Sequence, residues 1–308
     1  MSVAGGAPLE LIAAALKAAQ GVSASVARNV AAEWMFYGML GVALLIAITA
    51  DLLARRDVVK KWTGKSVRTD ALYALTELSH VHALVLLAPT SLWLTGAVLD
   101  RFPWMEIKAL AVMPVWAQAL LLLILADFFQ YWTHRLEHAS PWLWQFHKVH
   151  HSQRELTVLT HFRFPILDRL MSTLLLLPLG FISGSATLPV LFLTLKLFRS
   201  LVEHSGLPWT YGPLGRIIVS PSFHAVHHSR APEHMDRNFS GIFAFWDHLF
   251  GTYAPRGDAP LQYGLIHEEI PECYIRQHWV PLVGLWRLTQ ARLSPGRESS
   301  DPVAGRST

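Results

Sequence analysis

The stretch "ALAVMPVWAQALLLLILADFFQYWTHRLEH", residues 109–138, decides the fold of this chain. Its first eighteen residues, 109–126, carry no charge, which is close to the length that crosses the hydrocarbon core of a bilayer. His134 and His138 follow four residues apart, a spacing that places both side chains on one face of a helix. The stretch therefore predicts a membrane-spanning helix that ends in a pair of imidazoles.

The composition of the whole chain also indicates a membrane protein. Hydrophobic residues make up 52% of the 308 residues and charged residues only 16%, whereas soluble domains carry about 25% charged residues. The net charge is +4, but no Lys/Arg stripe with interleaved aromatics appears, so no nucleic-acid partner is predicted. A single cysteine, Cys273, excludes an internal disulfide and a cysteine-based metal site.

Two further apolar runs, Trp34–Ala50 and Val81–Leu99, precede this stretch. The loop between them, residues 54–68, holds six basic residues and one acid. Because positively charged loops stay inside, the loop is predicted to be cytoplasmic. The second and third spans cross out and back, so His134 is expected on the cytoplasmic side as well.

Residues 170–195 form a longer run without a charge, interrupted by two prolines and two glycines. A single span here would carry the rest of the chain to the opposite face. A hairpin broken in the middle would return it, and broken backbone at membrane depth is tolerated where protein buries it. The hairpin is the prediction, because it keeps all the histidine motifs on one side.

Histidines form the most distinctive pattern, since the motif F-H-x-V-H-H-S occurs twice in the chain. The copies are "FHKVHHSQ", residues 146–153, and "FHAVHHSR", residues 223–230. The spacing i, i+3, i+4 predicts one helical face for each triplet. With "HRLEH", eight imidazoles result: His134, His138, His147, His150, His151, His224, His227 and His228.

Metal binding explains this cluster better than a structural role. Buried without metal, each ring needs hydrogen-bond partners, and protonated neighbours repel. A metal takes one nitrogen of each neutral ring. Because one ion accepts at most about six ligands, eight histidines predict two ions. Imidazole suits iron, zinc, copper and nickel, so histidine alone does not choose among them.

Three alternatives stay open on the residues alone. "HRLEH" fits the inverted zinc-protease pattern, with Glu137 as general base, although this leaves the two repeated triplets unexplained. Bis-histidine haem would place its ligands deep inside the spans rather than at their ends. A non-enzymatic membrane protein could bind metal without consuming oxygen.

Four segments in this order resemble the fatty acid hydroxylase/sterol desaturase superfamily: "DFFQYWTHRLEH", "LWQFHKVHHS", "FHAVHHSR" and "DRNFSGIFAFWDHLFGTY". The resemblance covers residues 120–253. It implies an integral-membrane, non-haem di-iron enzyme that uses O2 to hydroxylate or desaturate a lipid. No flavin, haem or Fe–S motif is visible, so the electrons are expected from a separate ferredoxin or small cytochrome.

The resemblance also implies the iron ligands, which are the eight histidines above. His204, in "LVEHSGLP", resembles the extra histidine that the family places after its second hydrophobic hairpin. His161 is a further possible ligand, because the family's R-F-H-P motif has lost its histidine between Phe164 and Pro165.

Polar residues near these motifs are candidates for orienting the ligands or closing the cap, with helix capping and turn formation as the alternative. They are Asp127, Asp236, Asn238 and Asp247. The substrate is expected to be an alkyl chain or a sterol-like ring that stays in the bilayer. Its polar head is expected near Arg163, Arg169 or Arg230.

The predicted fold is thus an all-α integral membrane protein with several transmembrane helices, a re-entrant or hairpin segment and a cytoplasmic, histidine-rich helical cap. Val280–Leu293 is predicted to be an interfacial helix. The predicted segments are an amphipathic N-terminus (1–30), transmembrane helices (31–133), a fatty acid hydroxylase-like di-iron domain (134–255, with the hairpin at 170–200), an interfacial segment (256–293) and a disordered tail (294–308).

Overall fold

The computed structural model describes residues 37–54, 57–79, 87–105, 112–175 and 198–293. Regular secondary structure in these ranges is entirely helical, which confirms the all-α prediction; isolated bridges join Ile218 to Phe243 and Ser229 to Tyr263. The helices are α1 (Tyr37–Leu53), α2 (Val58–Trp62), α3 (Lys65–Leu78), α4 (Ala88–Arg101), α5 (Val115–Ala139), α6 (Pro141–His147), α7 (Ile166–Leu175), α8 (198–203), α9 (Pro221–His227), α10 (Phe245–Leu249) and α11 (Tyr274–Leu293).

Helix α5 is the one helix of the described ranges that is long and apolar enough to cross a membrane. It has 25 residues and runs through Asp127 to Ala139, well past the predicted end of the span at Ala126. Asp127 does not end the helix, because its buried carboxylate is satisfied by backbone N–H groups of a distant loop. The same helix therefore carries His134 and His138.

The other predicted membrane segments are described only in part. Helix α1 overlaps the predicted span Trp34–Ala50, and α4 covers the second half of the predicted span Val81–Leu99. Of the predicted hairpin, α7 and α8 are described at the two ends, while residues 176–197 lie outside the described residues. The predicted N-terminal segment 1–30 and the tail 294–308 also lie outside them.

An apolar core joins the N-terminal helices to the region of the histidines. Leu40, Ala43 and Ala47 are buried along one face of α1, as an amphipathic helix requires. They belong to the same cluster as Tyr73 of α3 and Phe162 of a short 3-10 helix. The core thus fixes the segment that leads from the "FHKVHHSQ" triplet into α7.

A buried ion pair strengthens this connection. Arg163, which follows the 3-10 helix Val158–Phe162, is fully buried and pairs with Asp70 of α3. Its guanidinium also donates to the carbonyl of Ser66 at 2.8 Å and to Glu272. The predicted role of Arg163 in binding a substrate head group is therefore wrong, because every face of the guanidinium is enclosed by protein.

Helix α11 begins at Tyr274 rather than at the predicted Val280. Its first turn is fixed by ring contacts, because Tyr274 and His278 lie 4.8 Å and 5.4 Å from the ring of Tyr73. Further along, α11 packs so closely on α6 that a Cβ on Gly284 would lie 2.1 Å from the amide oxygen of Gln145. These contacts place α11 against α6, which leads into the "FHKVHHSQ" triplet.

Candidate metal centre

Nine histidines meet where α5 ends, and these are the nine that the sequence analysis named as ligands. They form two groups, in each of which the candidate ligand atoms lie within 4.8 Å of one another. The first group is His134, His138, His147, His151 and His227, and the second is His150, His204, His224 and His228. Both triplets therefore reach one site, while the hairpin itself stays a prediction because residues 176–197 lie outside the described ranges.

The spacing had predicted that the "FHKVHHSQ" triplet lies on a single helical face. That prediction is wrong. Helix α6 starts at a cap, where the Ser140 hydroxyl accepts from the Leu143 N–H at 3.4 Å, and it ends at His147. His150 and His151 continue on a 3-10 helix, whose tighter winding separates neighbouring side chains. His150 therefore joins the second group, while His151 joins the first.

The "FHAVHHSR" triplet is also divided between the groups. Helix α9 begins after Ser220, whose side chain caps the Phe223 N–H at 3.2 Å. His224 and His227 lie on the helix, and His228 is its C-terminal cap. His227 faces the first group, whereas His224 and His228 face the second.

The Nε2 atoms approach one another as ligands of a shared ion do. In the first group, His151 Nε2 lies 3.2 Å from His138 Nε2 and 3.1 Å from His227 Nε2. Two nitrogens bound in adjacent positions to one ion at about 2.0–2.1 Å lie about 2.9–3.4 Å apart. One Nε2–H on His151 cannot serve both neighbours, so a metal accounts for the arrangement better than hydrogen bonds do.

The second group has the same geometry. His204 Nε2 lies 2.9 Å from His224 Nε2 and 3.2 Å from His150 Nε2. His228 Nε2 lies 3.1 Å from His224 Nε2. Each group thus presents its own convergent set of nitrogens.

Backbone carbonyls occupy the opposite side of three of these rings. His134 Nδ1 lies 2.8 Å from the Phe239 carbonyl, and His227 Nδ1 lies 2.8 Å from the carbonyl of Arg237. His204 Nδ1 lies 2.7 Å from its own helix at the Ser200 carbonyl. Because a carbonyl only accepts, Nδ1 carries the proton and leaves the Nε2 lone pair for a metal.

One ring uses a side-chain acceptor for the same purpose, since His138 Nδ1 lies 3.3 Å from Asp236 Oδ1. His228 differs, because its Nδ1 lies 2.8 Å from the side-chain amide nitrogen of Gln153, which donates to it. Gln153 is fully buried, so its amide is held in place beside the second group.

The rings are held in the neutral form that metal binding requires. Burial is the main cause that lowers the pKa of six rings outside α5, and the proximity of the other histidines lowers it further. These rings are His147, His150, His151, His224, His227 and His228. For His204, burial lowers the pKa to about 4. Neutral imidazoles with free Nε2 lone pairs are therefore available at physiological pH.

Three of the four predicted orienting residues act through the loop at residues 236–254. Asp127 accepts from the Ile242 and Phe243 N–H groups, and Asp247 accepts from the Phe239 and Ser240 N–H groups. Asn238, in the left-handed region at φ 60°, bonds the Phe223 and Ala254 backbone. Asp236 alone of the four reaches a histidine of the groups, His138.

His161, the further possible ligand, lies outside both groups. Its Nδ1 is 2.8 Å from the Ser200 hydroxyl, and its ring centroid is 5.7 Å from that of His204. Phe164 instead stacks on His150, with ring centroids 4.1 Å apart. The structure thus places His161 beside the second group rather than within it.

Two acidic residues lie at the site without having been predicted there. The sequence had suggested Glu137 only as a protease base, and it had not singled out Asp168. Both are buried, and with His147 they form a third group of potential ligand atoms. The signal for Asp168 was an acid in the first turn of a largely apolar helical segment, where a charge needs a specific partner.

A cavity of about 70 Å³ opens onto the first group. His138, His151 and Trp144 form its floor, and Arg230 and Asp236 are among its outer residues. Of the arginines named for a head group, Arg230 is the one at this opening.

Residues 119–252 match the family model described as fatty acid hydroxylase. This part of the chain is a fatty acid hydroxylase domain. It belongs to the fatty acid hydroxylase/sterol desaturase superfamily, as the motifs had indicated. The domain contains all nine histidines of the two groups.

Relatives of the fatty acid hydroxylase domain are enzymes named for lipid oxidation. The domain region is 36% identical over 141 residues to an alkylglycerol monooxygenase of Danio rerio, covering 46% of this chain and 31% of the relative. It is 34% identical to the ornithine lipid hydroxylase OlsE of Rhizobium tropici, covering 46% and 43%. A methylsterol monooxygenase of Arabidopsis thaliana is 27% identical, covering 54% and 59%.

The chain therefore spans roughly a third to three fifths of the length of these curated relatives. No solved structure matches it.

Proposed function

We propose that this protein is a membrane-bound monooxygenase that hydroxylates a C–H bond of a lipid with O2 and external electrons. The observation that carries the proposal is the pair of adjacent, buried imidazole groups at the end of an apolar helix. Two such groups provide for two metal ions, and iron is the metal that imidazole ligation and the superfamily resemblance together favour.

The ligands in this proposal are the members of the two histidine groups, with Nε2 as the ligating atom wherever Nδ1 has a carbonyl partner. Bound iron would supply the reduction of O2 and an oxidant able to remove hydrogen from an unactivated carbon. Overall, the C–H bond, one O2, two electrons and two protons give a C–OH group and one water.

The contribution of the chain itself is positioning and the exclusion of water. Aromatic rings enclose the first group, since Trp144 and Phe239 lie 5.0 Å and 5.2 Å from the ring of His138. Tyr131 supports the loop on the other side by a 2.8 Å hydrogen bond to Thr252. Such walls protect a strong oxidant from water and from side reactions.

A lipid substrate is supported by the relatives and by the position of the site. The names of these relatives refer to alkylglycerol, ornithine lipid and methylsterol, all of which are lipids. Because α5 carries both an apolar span and two of the histidines, an alkyl chain or sterol ring could reach the metals from within the bilayer. The names also favour hydroxylation over desaturation, and Arg230 is the candidate partner for a polar head.

The proposed placement is multi-pass, with the metal centre on the cytoplasmic side and α11 lying on the membrane surface. Ile275, Trp279 and Trp286 recur along one exposed face of α11, and a tryptophan-rich apolar face is typical of interfacial helices. A soluble ferredoxin or small cytochrome could then deliver electrons from the cytoplasm.

The zinc-protease alternative is disfavoured by the position of Glu137. A general base must reach the metal-bound water, but Glu137 is 2% exposed and accepts a hydrogen bond from Ser172 at 3.0 Å. In addition, His134 and His138 share their group with three further histidines, which leaves no open protease-type site.

The test uses the purified full chain in lipid nanodiscs, reconstituted with ferrous iron, a ferredoxin system, a lipid extract and ¹⁸O2. Wild-type protein is expected to consume O2 and to add one labelled oxygen to a lipid, as seen by mass spectrometry. His224→Ala should abolish both signals, while His248→Ala, which changes an exposed histidine outside both groups, should keep them. Tight metal binding without O2 uptake would instead support the non-enzymatic alternative.

A further inference from the structure

We infer that Glu137 and Asp168 together position His147, by holding the proton of its Nδ1 and thereby turning Nε2 toward the first histidine group. The inference rests on the proposed two-metal function and adds two positioning residues to it. The sequence motifs gave Asp168 no role, and they gave Glu137 only the role of general base in the zinc-protease alternative.

The three side chains come from three different helices that meet at the site. Glu137 lies on α5, His147 is the last residue of α6, and Asp168 lies in the first turn of α7. His147 Nδ1 is 3.5 Å from Glu137 Oε2 and 3.9 Å from Asp168 Oδ2. The two carboxylates therefore face the same ring nitrogen from two sides.

All three side chains are buried, so their polar atoms need partners within the protein. Glu137, His147 and Asp168 are 2%, 3% and 0% exposed. Within the described residues, neither nitrogen of His147 and neither oxygen of Asp168 has a hydrogen-bond partner. Groups left in this state are costly, so the site is completed when Nδ1–H faces the carboxylates and Nε2 binds a metal.

Ser172 sets the direction of one carboxylate. Its hydroxyl donates to Glu137 Oε1 at 3.0 Å, which leaves Oε2 as the oxygen that faces His147. Ser172 lies four residues after Asp168 on α7, so both carboxylate positions depend on that helix. Helix α7 thus controls the orientation of a ring that it does not itself carry.

The carboxylate partner distinguishes His147 electronically from most of the other rings. His134, His204 and His227 rely on neutral backbone carbonyls, whereas His147 faces two acids. A carboxylate behind a ligating imidazole fixes its tautomer and raises its basicity. The ion of the first group is therefore expected to be held more firmly than it would be by carbonyl-supported rings alone.

The test compares Glu137→Gln, Asp168→Asn and the double variant with wild type and with Glu269→Gln. The control removes a carboxylate that is 85% exposed in its side chain and remote from the ligands. Iron per chain and the Mössbauer spectrum are measured on full-length protein in nanodiscs, without substrate or turnover. Wild type and the control should hold two irons, and the double variant should lose about half of the iron, with the remaining signal from the second group.

Several results would overturn the inference. One is a double variant with two irons and an unchanged spectrum. Another is a wild type with a third ion that only the double variant lacks, since the acids would then be ligands of their own site. Wild-type protein that binds no iron would instead defeat the proposed function, which keeps the two failures distinct.

Conservative variants keep the test decisive if the double variant does not fold. Glu137→Gln retains an oxygen for Ser172 but places an amide donor against Nδ1–H, so it should alter the spectrum while circular dichroism stays native. Asp168→Glu keeps the charge and should restore a wild-type spectrum that Asp168→Asn loses. A folded Glu137→Gln and a folded Asp168→Asn that both match wild type would contradict the positioning role.

Discussion

The carboxylate of Asp127 accepts a hydrogen bond from the backbone N–H of Ile242 at 2.7 Å, across 115 residues of sequence. Its second oxygen accepts from the Phe243 N–H and the Trp246 indole at 2.8 Å and 3.0 Å. The loop held in this way carries the Phe239 carbonyl that orients His134. An acid within an apolar helix thus fixes the direction of an imidazole two turns away.

Replacing Asp127 with alanine should therefore damage both stability and metal binding. One buried and two partly buried donors would lose their acceptor, which predicts a loss of about 3 kcal/mol in the free energy of unfolding. Denaturant unfolding in detergent and iron analysis check the two effects. Asp258→Ala, at an exposed loop position, should change neither, and an unaffected iron content in Asp127→Ala would contradict the proposed role of the loop.

The buried pair of Arg163 and Asp70 makes a prediction about stability alone. Arg163→Met leaves the Asp70 carboxylate buried without its partner, which should cost about 3–5 kcal/mol of unfolding free energy. The double variant Asp70→Leu/Arg163→Met removes both charges and should be more stable than Arg163→Met. Urea unfolding of wild type, Arg163→Met, Asp70→Leu and the double variant gives the coupling energy. If the two single changes in unfolding free energy simply add up to that of the double variant, the two residues do not depend on each other.

His204 and His161 offer a matched comparison, since both lie near Ser200 but only His204 belongs to a histidine group. His204→Ala removes one of four ligands from the second group, so about one of two irons should be lost or weakly held. His161→Ala should retain both. Iron analysis after dialysis against a mild chelator distinguishes the variants, and iron loss in His161→Ala would make that residue a ligand after all.

Acid should destabilise the protein once its metal has been removed. Burial lowers the pKa of His204 from 6.5 to about 4, so the folded chain binds fewer protons than the unfolded chain between these values. The stability contributed by this neutral ring is complete above about pH 6.5 and is lost as the pH falls through about 4. Urea unfolding of chelated protein at about pH 7.5 and about pH 5 should show the decrease, and equal values would refute it.

Helix α11 should contact lipid through its apolar face. In a Cys273→Ser background, Trp279→Cys labelled with a polarity-sensitive dye should give blue-shifted emission in lipid vesicles. Trp279 is 60% exposed to solvent in the folded chain, so protein alone would not shield the dye. Arg276→Cys, at an exposed polar position of the same helix, is the matched control, and identical emission from both sites would argue against an interfacial helix.

The sequence was sufficient for the helical fold, because that depends on local periodicity. It also named the nine histidines that converge, eight from motif spacing and His204 from the family resemblance. It could not show that the "FHKVHHSQ" triplet is divided between two groups. That division arises where α6 ends at His147 and a 3-10 helix begins, and the end of a short helix depends on tertiary packing. The same limitation misplaced the start of α11, whose first turn is fixed by Tyr73.

Long-range contacts explain the remaining differences. From the sequence, Arg163 was a candidate for binding a head group, but in the fold it pairs with Asp70. Asp168 was not named, because its proximity to His147 arises only when two helices pack together. Both cases concern a charged residue in an apolar setting, where the sequence signals that a partner exists but not which residue it is.

The division of each repeated triplet between two groups also has a consequence for assembly. No single peptide segment supplies a complete ligand set, since the first group draws on residues from His134 on α5 to His227 on α9, and the second on residues from His150 to His228. Contacts between residues so distant in sequence form late, because the loop-closure entropy must be overcome first. A metal ion therefore cannot nucleate the folding of this protein in the way that zinc nucleates the folding of a small zinc finger. In the proposed di-iron enzyme, the metal would therefore bind last, to a chain that has already folded and inserted into the membrane.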